Sequence, residues 1–507
     1  MTRTGRFLGG VTLGSLQLVL ATAVGLWMTP FLLRRLGSET LGFWLVAQQL
    51  LGYLMLMDFG VTAVLPRETA YAVGRAGAAD TGDLAGVIAR ARRAITFQIP
   101  IVIAATLLVG AWIATRGAGT AAPLLLVLAG FALLFPLRLY QSVLQGLQEL
   151  PFLGKLQIAS WIVMTGLTIA LVLAGAGLWA LVIGWVTGQA LTAAAAWLRV
   201  RQRHRRAWPA SHVKPGWTQV RPYLLNAAWV SVAQVAQVLL SGSDLLLVGG
   251  LLGAQSVVLY SCTSKVTTVL ANHPQLVMAS ATPALSELWA AGRRERLVEL
   301  VTALTLAMLV VSGLVACLTL ALNEGFVAWW VGRQQFGGGT LTVLLATQLV
   351  LRHWNIALIY GLVAFGLEKR VSITNLVDGA VSVVLGLLLI PAIGIAGPVV
   401  GSLVAVVVTS LPSNLFALAA RTEVTPASWV RGLLPWGWRV VVLGAASALL
   451  PLVWVPSTLT GLAVVAATTS VIYLVTMAHG LRRSALAPFV TARLAPLLPR
   501  LTWLRAA

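Results

Sequence analysis

Long apolar segments recur along almost the whole chain, and their length constrains the fold more than any other feature. Fourteen stretches of about 20 or more mostly apolar residues can be drawn, enough for each to cross a bilayer as a helix. They lie near residues 7–33, 41–64, 94–115, 122–146, 156–175, 177–198, 224–251, 255–281, 298–322, 340–365, 371–391, 395–418, 436–456 and 458–478. Because lipid cannot satisfy backbone hydrogen bonds, we predict an all-α polytopic membrane protein with 14 transmembrane helices.

Composition excludes the soluble classes. Of the 507 residues, 59% are hydrophobic and only 10% are charged, whereas soluble domains are about one quarter charged. The net charge of +21 is typical of nucleic-acid-binding proteins, but the basic residues occupy alternate loops between apolar segments, as membrane topology requires. We therefore expect no nucleic-acid partner. The two cysteines lie in apolar runs, so neither a disulfide nor a metal site is predicted.

Basic residues also fix the predicted orientation. One side of the predicted spans holds most of the arginines, including the run RVRQRHRR at 199–206. The opposite side holds only Arg34, Arg35, Arg116 and Arg333. Since cytoplasmic loops are enriched in Lys and Arg, this asymmetry predicts a multi-pass protein with both termini in the cytoplasm.

The chain repeats itself at an offset of about 217 residues. Three pairs of segments match: LGSETLGFW (36–44) with LGAQSVVLY (252–260), LPRETAYAVGR (65–75) with TPALSELWAAGR (282–293), and GLWALVIG (177–184) with GIAGPVVG (394–401). Six spans separate the copies, so both copies have the same orientation. This pattern predicts two six-helix bundles related by an axis along the membrane normal.

The repeat divides the chain into three predicted parts. An N-terminal six-helix bundle covers 1–205, and a C-terminal six-helix bundle covers 206–420. Residues 421–507 contain the accessory spans 13 and 14 and a basic cytoplasmic tail.

Two predicted spans carry polar stripes at helical spacing. In span 7, Gln234, Gln237 and Asp244 share one face, and in span 8 Lys265 and Thr268 share a face with Asn272. A polar stripe inside a membrane must face another helix or water, because acyl chains offer no hydrogen bonds. We therefore expect spans 7 and 8 to line an internal, hydrated and partly cationic cavity.

An arginine lies in the fourth span of each half. Arg138 is followed by Gln141 at helical spacing, and Arg352 is followed by Asn355. At 1.5 Å per residue, Arg138 and Arg352 lie about 12 and 21 Å from the cytoplasmic ends of their spans. Arg352 is expected near the middle of the bilayer, whereas Arg138 either faces the cavity or extends to the surface.

The few acids offer an alternative role for these cations. Arg352 and Lys265 could instead form buried pairs with Asp244 or Asp378 that only hold the bundle together. Asp58 ends span 2, where capping of a helix or pairing with a nearby arginine is the simpler interpretation. His273 is a candidate proton-coupling group because its reference pKa is near neutrality, although a histidine beside a proline is often structural.

No enzyme motif accompanies these features. The chain has no metalloprotease HExxH, P-loop, GxSxG or zinc-ligand spacing. The longest predicted outer loop, at about 323–339, is too short for a catalytic domain. We predict a protein that is not an enzyme and uses no cofactor.

Two stretches resemble segments of a known protein family. The segment LRRLGSETLGFWLVAQQLLGYLMLMDFGVTAVLPRE (33–68) resembles the region around the second span of bacterial polysaccharide flippases. The segment SDLLLVGGLLGAQSVVLYSCTSK (243–265) is similar to their seventh and eighth spans. These flippases belong to the multidrug/oligosaccharidyl-lipid/polysaccharide (MOP) exporter superfamily.

The resemblance implies transport across the bacterial cytoplasmic (inner) membrane. The expected substrate is an undecaprenyl-pyrophosphate-linked oligosaccharide, moved to the outer leaflet by alternating access through a cationic lumen. Lipid II flippases have charges in their first span, but 7–33 has none, which favours an O-antigen, exopolysaccharide or capsule substrate. The alternative is a cation-coupled multidrug antiporter of the same superfamily. Membrane lipids and other polysaccharide-assembly proteins are the remaining expected partners.

The predicted site combines these observations. Cationic groups suit pyrophosphate, and amides and hydroxyls suit sugar hydroxyls. The predicted lumen residues are Lys265, Arg352, Arg138, Gln234, Gln237, Thr268, Asn272 and Asn355. The predicted coupling or ion-pair residues are Asp58, Asp244, Asp378 and His273.

Overall fold

The architecture is taken from a computed structural model that describes residues 3–76, 82–115, 118–204 and 215–481. These residues form helices and short connections and contain no strand, so the all-α prediction is confirmed. The helices are α1 (Arg3–Leu54), α2 (Val61–Ala76), α3 (Gly82–Ala114), α4 (Ala118–Leu134), α5 (Arg138–Gly146), α6 (Leu150–Leu173), α7 (Leu178–Arg203), α8 (Trp217–Leu252), α9 (Ala254–Thr263), α10 (Lys265–Ala290), α11 (Arg294–Trp330), α12 (Gly339–Ala364), α13 (Glu368–Ile393), α14 (Gly397–Ala405), α15 (Leu411–Thr422), α16 (Pro426–Val453) and α17 (Leu459–Leu481).

Eleven helical segments of the described chain are long and apolar enough to cross a bilayer. Two of them, Leu20–Asp58 and Glu368–Thr422, run for 39 and 55 residues, and each covers two predicted spans. Glycines with positive φ interrupt both, Gly37 at 80° inside α1 and Gly394 at 60° after α13. The chain is a multi-pass membrane protein, and the count of fourteen spans stays a prediction.

The repeat seen in the sequence reappears in the backbone. Gly37 and its partner Gly253 have φ and ψ of 80° and 166° and of 86° and 169°. Gly177 and its partner Gly394 have 59° and −134° and 60° and −136°. Conformations with positive φ are strained for residues with a Cβ, which explains why glycine recurs at these turns. The duplicated segments therefore share local structure as well as sequence.

Two compact units are present, Met1–Val258 and Leu259–Ala507. In the first, α2 packs against α3 and α5, α6 forms a hairpin with α7, and α8 packs against α1, α2 and α3. The Tyr223 hydroxyl of α8 donates a 3.0 Å hydrogen bond to the Val61 carbonyl at the start of α2. Because α8 packs with these helices, it belongs to the first compact unit. The three-part domain division stays a prediction.

The second unit is built around α11. Apolar side chains from α10, α11, α12 and α15, among them Leu285, Val301, Leu358 and Leu418, form a fully buried cluster. The two helices that follow the repeat, α16 and α17, both pack on α11. The Tyr473 hydroxyl of α17 donates a 2.7 Å hydrogen bond to the Val310 carbonyl, which fixes this accessory helix on α11.

Candidate functional site

Arg352 of α12 forms a buried ion pair with Asp378 of α13. Its Nη1 lies 2.5 Å from Asp378 Oδ2, and its Nη2 donates to the hydroxyl and the carbonyl of Ser402 at 2.7 and 3.2 Å. The side chains of Arg352 and Asp378 are 16% and 0% exposed. This geometry is the ion-pair alternative considered from the sequence. The substrate-binding role of Arg352 stays a prediction.

A polar chain extends from this pair. Ser410 donates to Asp378 Oδ2 at 2.5 Å and accepts from Asn355 at 3.0 Å. Asn414 donates to the Asn355 side-chain oxygen at 2.8 Å and accepts from Arg370 at 3.2 Å. Ser410 ends a π-helical segment, Val406–Ser410, an irregularity that is frequent at functional sites. Three predicted site residues, Arg352, Asn355 and Asp378, are thus brought together.

Lys265 lies at an interruption of an apolar helix. The span predicted at 255–281 is broken at Ser264, and Lys265 is the first residue of α10. Asn323 of α11 supports the break, because its Nδ2 donates to the Thr263 carbonyl at 2.9 Å and to the Thr342 hydroxyl at 3.0 Å. Lys265 is half-buried and has no carboxylate partner within the described part of the chain.

Substitution of Asn323 tests whether it holds this break. Asn323→Ala leaves the buried Thr263 carbonyl without its side-chain donor, so the free energy of unfolding is expected to fall by about 1–3 kcal/mol. Thermal unfolding of the purified protein in detergent measures the change. Thr319→Val on the same helix is the control, since the buried Thr319 hydroxyl has no hydrogen-bond partner in the described structure. Equal losses for the two variants would contradict the supporting role of Asn323.

Arg138 also follows an interrupted helix. Residues Phe135–Leu137 form a 3₁₀ turn after α4, and Arg138 begins α5. The interruption follows from Pro136, which lacks an N–H group and cannot continue the hydrogen-bond ladder of α4. Arg138 Nη1 is buried and has no hydrogen-bond partner in the described structure, so this nitrogen does not extend to the surface.

Arg138 lines a cavity of about 50 Å³ within the first unit. The polar lining comes from Arg138, Gln141, Gln189 and Thr192. The apolar lining comes from Met55, Phe131, Leu134, Leu137, Trp185 and Ala193. Gln141 was expected on the face of Arg138, whereas Trp185, Gln189 and Thr192 of α7 were not singled out from the sequence. Their spacing of four and three residues on one helical face is the signal that could have identified them.

Asp58 has the capping role considered from the sequence. Its Oδ1 accepts a 2.9 Å hydrogen bond from the Gly60 N–H, and its Oδ2 accepts from the Thr62 hydroxyl. These contacts stabilise the start of α2. Asp58 attracts Arg138 electrostatically but forms no ion pair with it among the described residues. The coupling role of Asp58 stays a prediction.

The remaining predicted residues are spread along the chain. On α8, Gln234 Oε1 is buried without a hydrogen-bond partner in the described structure, and Gln237 is exposed. Asp244 is half-buried near Tyr53. On α10, the Thr268 hydroxyl donates to the Ser264 carbonyl at 2.9 Å. The side chains of Asn272 and His273 lie outside the described residues, and their roles stay predictions.

A charged cluster at the ends of α6 and α7 was missed by the sequence reasoning. Glu149 lies 2.9 Å from Arg199, 3.6 Å from Arg203 and 3.4 Å from His204. The Arg199 guanidinium also covers the Phe152 ring at 4.6 Å. Burial alone raises the pKa of the Glu149 carboxyl, but the hydrogen bonds and charges of the basic side chains lower it further than burial raises it. The basic run at 199–206 therefore also has a structural role.

The lowered pKa of Glu149 makes this cluster sensitive to acid. A carboxyl whose pKa is lower in the folded state stabilises the fold when the pH is above its unfolded-state pKa of about 4.3. This stabilisation is lost as the pH falls through the folded-state pKa. The melting temperature of the wild type is therefore expected to fall more steeply than that of Glu149→Gln between about pH 5 and pH 3. At pH 7 the substitution should cost about 1 kcal/mol. If the melting temperatures of both proteins changed in parallel with pH, the ionised Glu149 would contribute nothing to stability.

Comparisons with known proteins agree with this architecture. Residues 96–334 match the family described as "Polysaccharide biosynthesis protein". The solved structure "Lipid II flippase MurJ, inward closed conformation" is 11% identical with a TM-score of 0.64, and the alignment covers 91% of this chain and 99% of that chain. An inward-facing multidrug resistance MATE family transporter of the MOP superfamily is 14% identical with a TM-score of 0.54, covering 78% and 94%.

These structural similarities establish the fold. A comparison with curated proteins finds no match. The chain has the fold of the MOP superfamily transporters and matches a family of polysaccharide biosynthesis proteins across residues 96–334, which confirms the resemblance found in its sequence.

Proposed function

We propose that the protein is a flippase that moves an undecaprenyl-pyrophosphate-linked oligosaccharide to the outer leaflet of the bacterial cytoplasmic membrane. Transport takes place by alternating access through a cationic lumen. The match to polysaccharide biosynthesis proteins and the fold shared with a lipid II flippase support this proposal. The glycan is of the O-antigen, exopolysaccharide or capsule type, in keeping with the uncharged first span.

One observation supports the binding of an anionic substrate. Lys265 and Arg138 are cations at interruptions of apolar helices, and neither has a carboxylate partner within the described residues. A cation within a membrane is costly unless it is neutralised, and broken helices are where transporters place substrate-binding groups. An anionic headgroup would supply the missing charge, and pyrophosphate is the anionic part of the proposed substrate.

Amide and hydroxyl groups complete the proposed binding surface. We propose that sugar hydroxyls bind to Gln234, Gln237, Thr268 and Asn272. The buried side-chain oxygen of Gln234 has no hydrogen-bond donor in the described structure, so a substrate hydroxyl could supply one. Asn355 is linked to Arg352 through Ser410 and Asp378, and we propose that it binds substrate together with Arg352.

A multidrug antiporter is less favoured by the geometry. Cation-coupled exchange needs membrane-embedded acids that can take up a cation. The charge of Asp378 is already compensated by Arg352, and both Asp58 oxygens accept hydrogen bonds at the start of α2. The structural similarity to a MATE transporter shows the shared fold and does not separate the two functions.

Deletion of the gene in its host tests the proposal. Surface glycan is expected to be lost and lipid-linked oligosaccharide to accumulate on the cytoplasmic face, and the wild-type gene should restore both. The leaflet position can be followed by enzymatic labelling of sugars in inverted and right-side-out vesicles. Unchanged glycan together with increased sensitivity to amphipathic cations would instead identify the drug antiporter.

A further inference from the structure

We propose that the cavity around Arg138 is a subsite for a single oxyanion of the transported substrate, either a carboxylate or a phosphoryl group. The proposal rests on the proposed function, which it deepens by assigning one chemical group to one place in the first unit. Three observations support it: Arg138 has no carboxylate partner in the described structure, the cavity is small, and its lining is partly polar.

The missing partner is clearest when the two halves are compared. In the second unit, α13 supplies Asp378 to neutralise the fourth-span arginine, Arg352. In the first unit the corresponding helix, α6, contains no Asp or Glu. Arg138 Nη1 is buried without an acceptor in the described structure, which is an unfavourable state for a charged donor. The fourth-span arginine of the first unit is therefore a partly buried cation without a paired carboxylate in the described structure, whereas that of the second unit forms a neutral pair.

Asp58 does not supply the missing acceptor. Its two carboxylate oxygens accept hydrogen bonds from the Gly60 N–H and the Thr62 hydroxyl, and it acts on Arg138 only by longer-range attraction. A ligand oxygen can therefore reach Arg138 without displacing an existing ion pair in the described structure.

The cavity volume limits what can bind. A water needs roughly 10–15 Å³ of such space, so about 50 Å³ holds roughly three to five water-sized groups. A carboxylate or a phosphoryl group fits this space. A whole sugar ring with its hydroxyls does not, so the cavity accepts one substituent of the substrate.

The walls favour an anion over a neutral group. Gln141 and Gln189 provide amide donors beside the guanidinium. The single proton of the Thr192 hydroxyl is directed at Ser160 and the Gly188 carbonyl, so Thr192 lines the cavity without offering the anion a free donor. The rings of Phe131 and Trp185 also line the cavity, and apolar walls strengthen the attraction between the guanidinium and an anion.

A binding experiment on the purified full-length protein tests the subsite. Sodium pyrophosphate, sodium glucuronate and glucose are titrated at constant ionic strength while the melting temperature is recorded. The wild type is expected to be stabilised saturably by at least one oxyanion and not by glucose. Arg138→Gln should weaken the apparent affinity at least tenfold, and the exposed Arg93→Gln should leave it unchanged. A response to pyrophosphate alone indicates the lipid-carrier linkage, and a response to glucuronate indicates an acidic sugar.

Gln189→Glu provides a second test that does not remove the arginine. It places a carboxylate in the cavity, so the ligand-free protein should become more stable and the oxyanion response should disappear. This variant decides the question if Arg138→Gln fails to fold. An unchanged oxyanion response in Gln189→Glu, or no response in the wild type, overturns the subsite.

Export assays separate this proposal from the proposed function. If the wild type exports glycan and both Arg138→Gln and Gln189→Glu export it equally well, the subsite is wrong and the flippase function stands. If the wild type itself does not restore glycan export to the deletion strain, the proposed function is wrong.

Discussion

Replacement of Asp378 with alanine is expected to lower the free energy of unfolding by about 3–5 kcal/mol. Asp378 is fully buried and pairs with Arg352 at 2.5 Å, so its removal leaves a largely buried guanidinium without a counter-charge. The Ser410 hydroxyl loses an acceptor at the same time. Thermal or chemical unfolding in detergent measures the loss. Ser382→Ala, one turn further along α13, is the matched control and should cost less than about 1 kcal/mol.

A double substitution separates the two roles of Arg352. Arg352→Met with Asp378→Leu removes both charges and fills the space with apolar atoms, so stability should return close to the wild-type value. If glycan export returns with it, Arg352 serves only to neutralise Asp378. If the double variant folds but export stays impaired, Arg352 binds substrate, as its position in the sequence predicts. A double variant as unstable as Asp378→Ala would show that the ion pair is not the source of the loss.

Replacement of Lys265 with alanine is expected to have the opposite profile, with a large effect on export and a small effect on stability. Lys265 has no carboxylate partner within the described structure, so its loss should change the free energy of unfolding by less than about 1 kcal/mol. A charge-assisted contact to pyrophosphate is worth about 1.5–3 kcal/mol, so export should fall roughly 10- to 100-fold.

Glycan export and melting temperature should be measured on the same preparations of Lys265→Ala. Lys265→Arg keeps the charge and should retain a larger share of export than alanine does. Arg333→Gln removes an exposed arginine that pairs with Glu324 in the same unit, and it should alter neither quantity appreciably. Full export by Lys265→Ala at matched expression would remove this residue from the proposed binding surface.

Much of the fold could be predicted because its signals are local. Apolar length predicts a membrane helix whatever its neighbours are. The glycines repeated in the two halves lie at turns, since Gly177 and Gly394 have positive φ, a conformation that glycine tolerates best. Helix interruptions were harder to predict. The break before Arg138 had a signal in Pro136, whereas the break before Lys265 depends on Asn323, a residue from another helix.

The candidate site could be predicted only in part, because charge compensation is not local. Arg138 and Arg352 look alike in the sequence, since each is an arginine in a fourth span with amide side chains nearby. Only the packing shows that Arg352 pairs with Asp378 and donates to Ser402, while Arg138 lines a cavity. The polar residues Gln189 and Thr192 of α7 were missed although they share one helical face, because nothing in the sequence shows that this face lies beside Arg138.

The sequence by itself determined that this protein is a helical, duplicated, multi-pass membrane protein, because segment length, loop charge and glycine position act within a few residues of each other. The tertiary structure alone decided which cations inside the membrane pair with a carboxylate and which have no such partner among the described residues. An ion pair forms only where packing brings a carboxylate within contact distance, and Asp378 provides one to Arg352 while α6 provides none to Arg138.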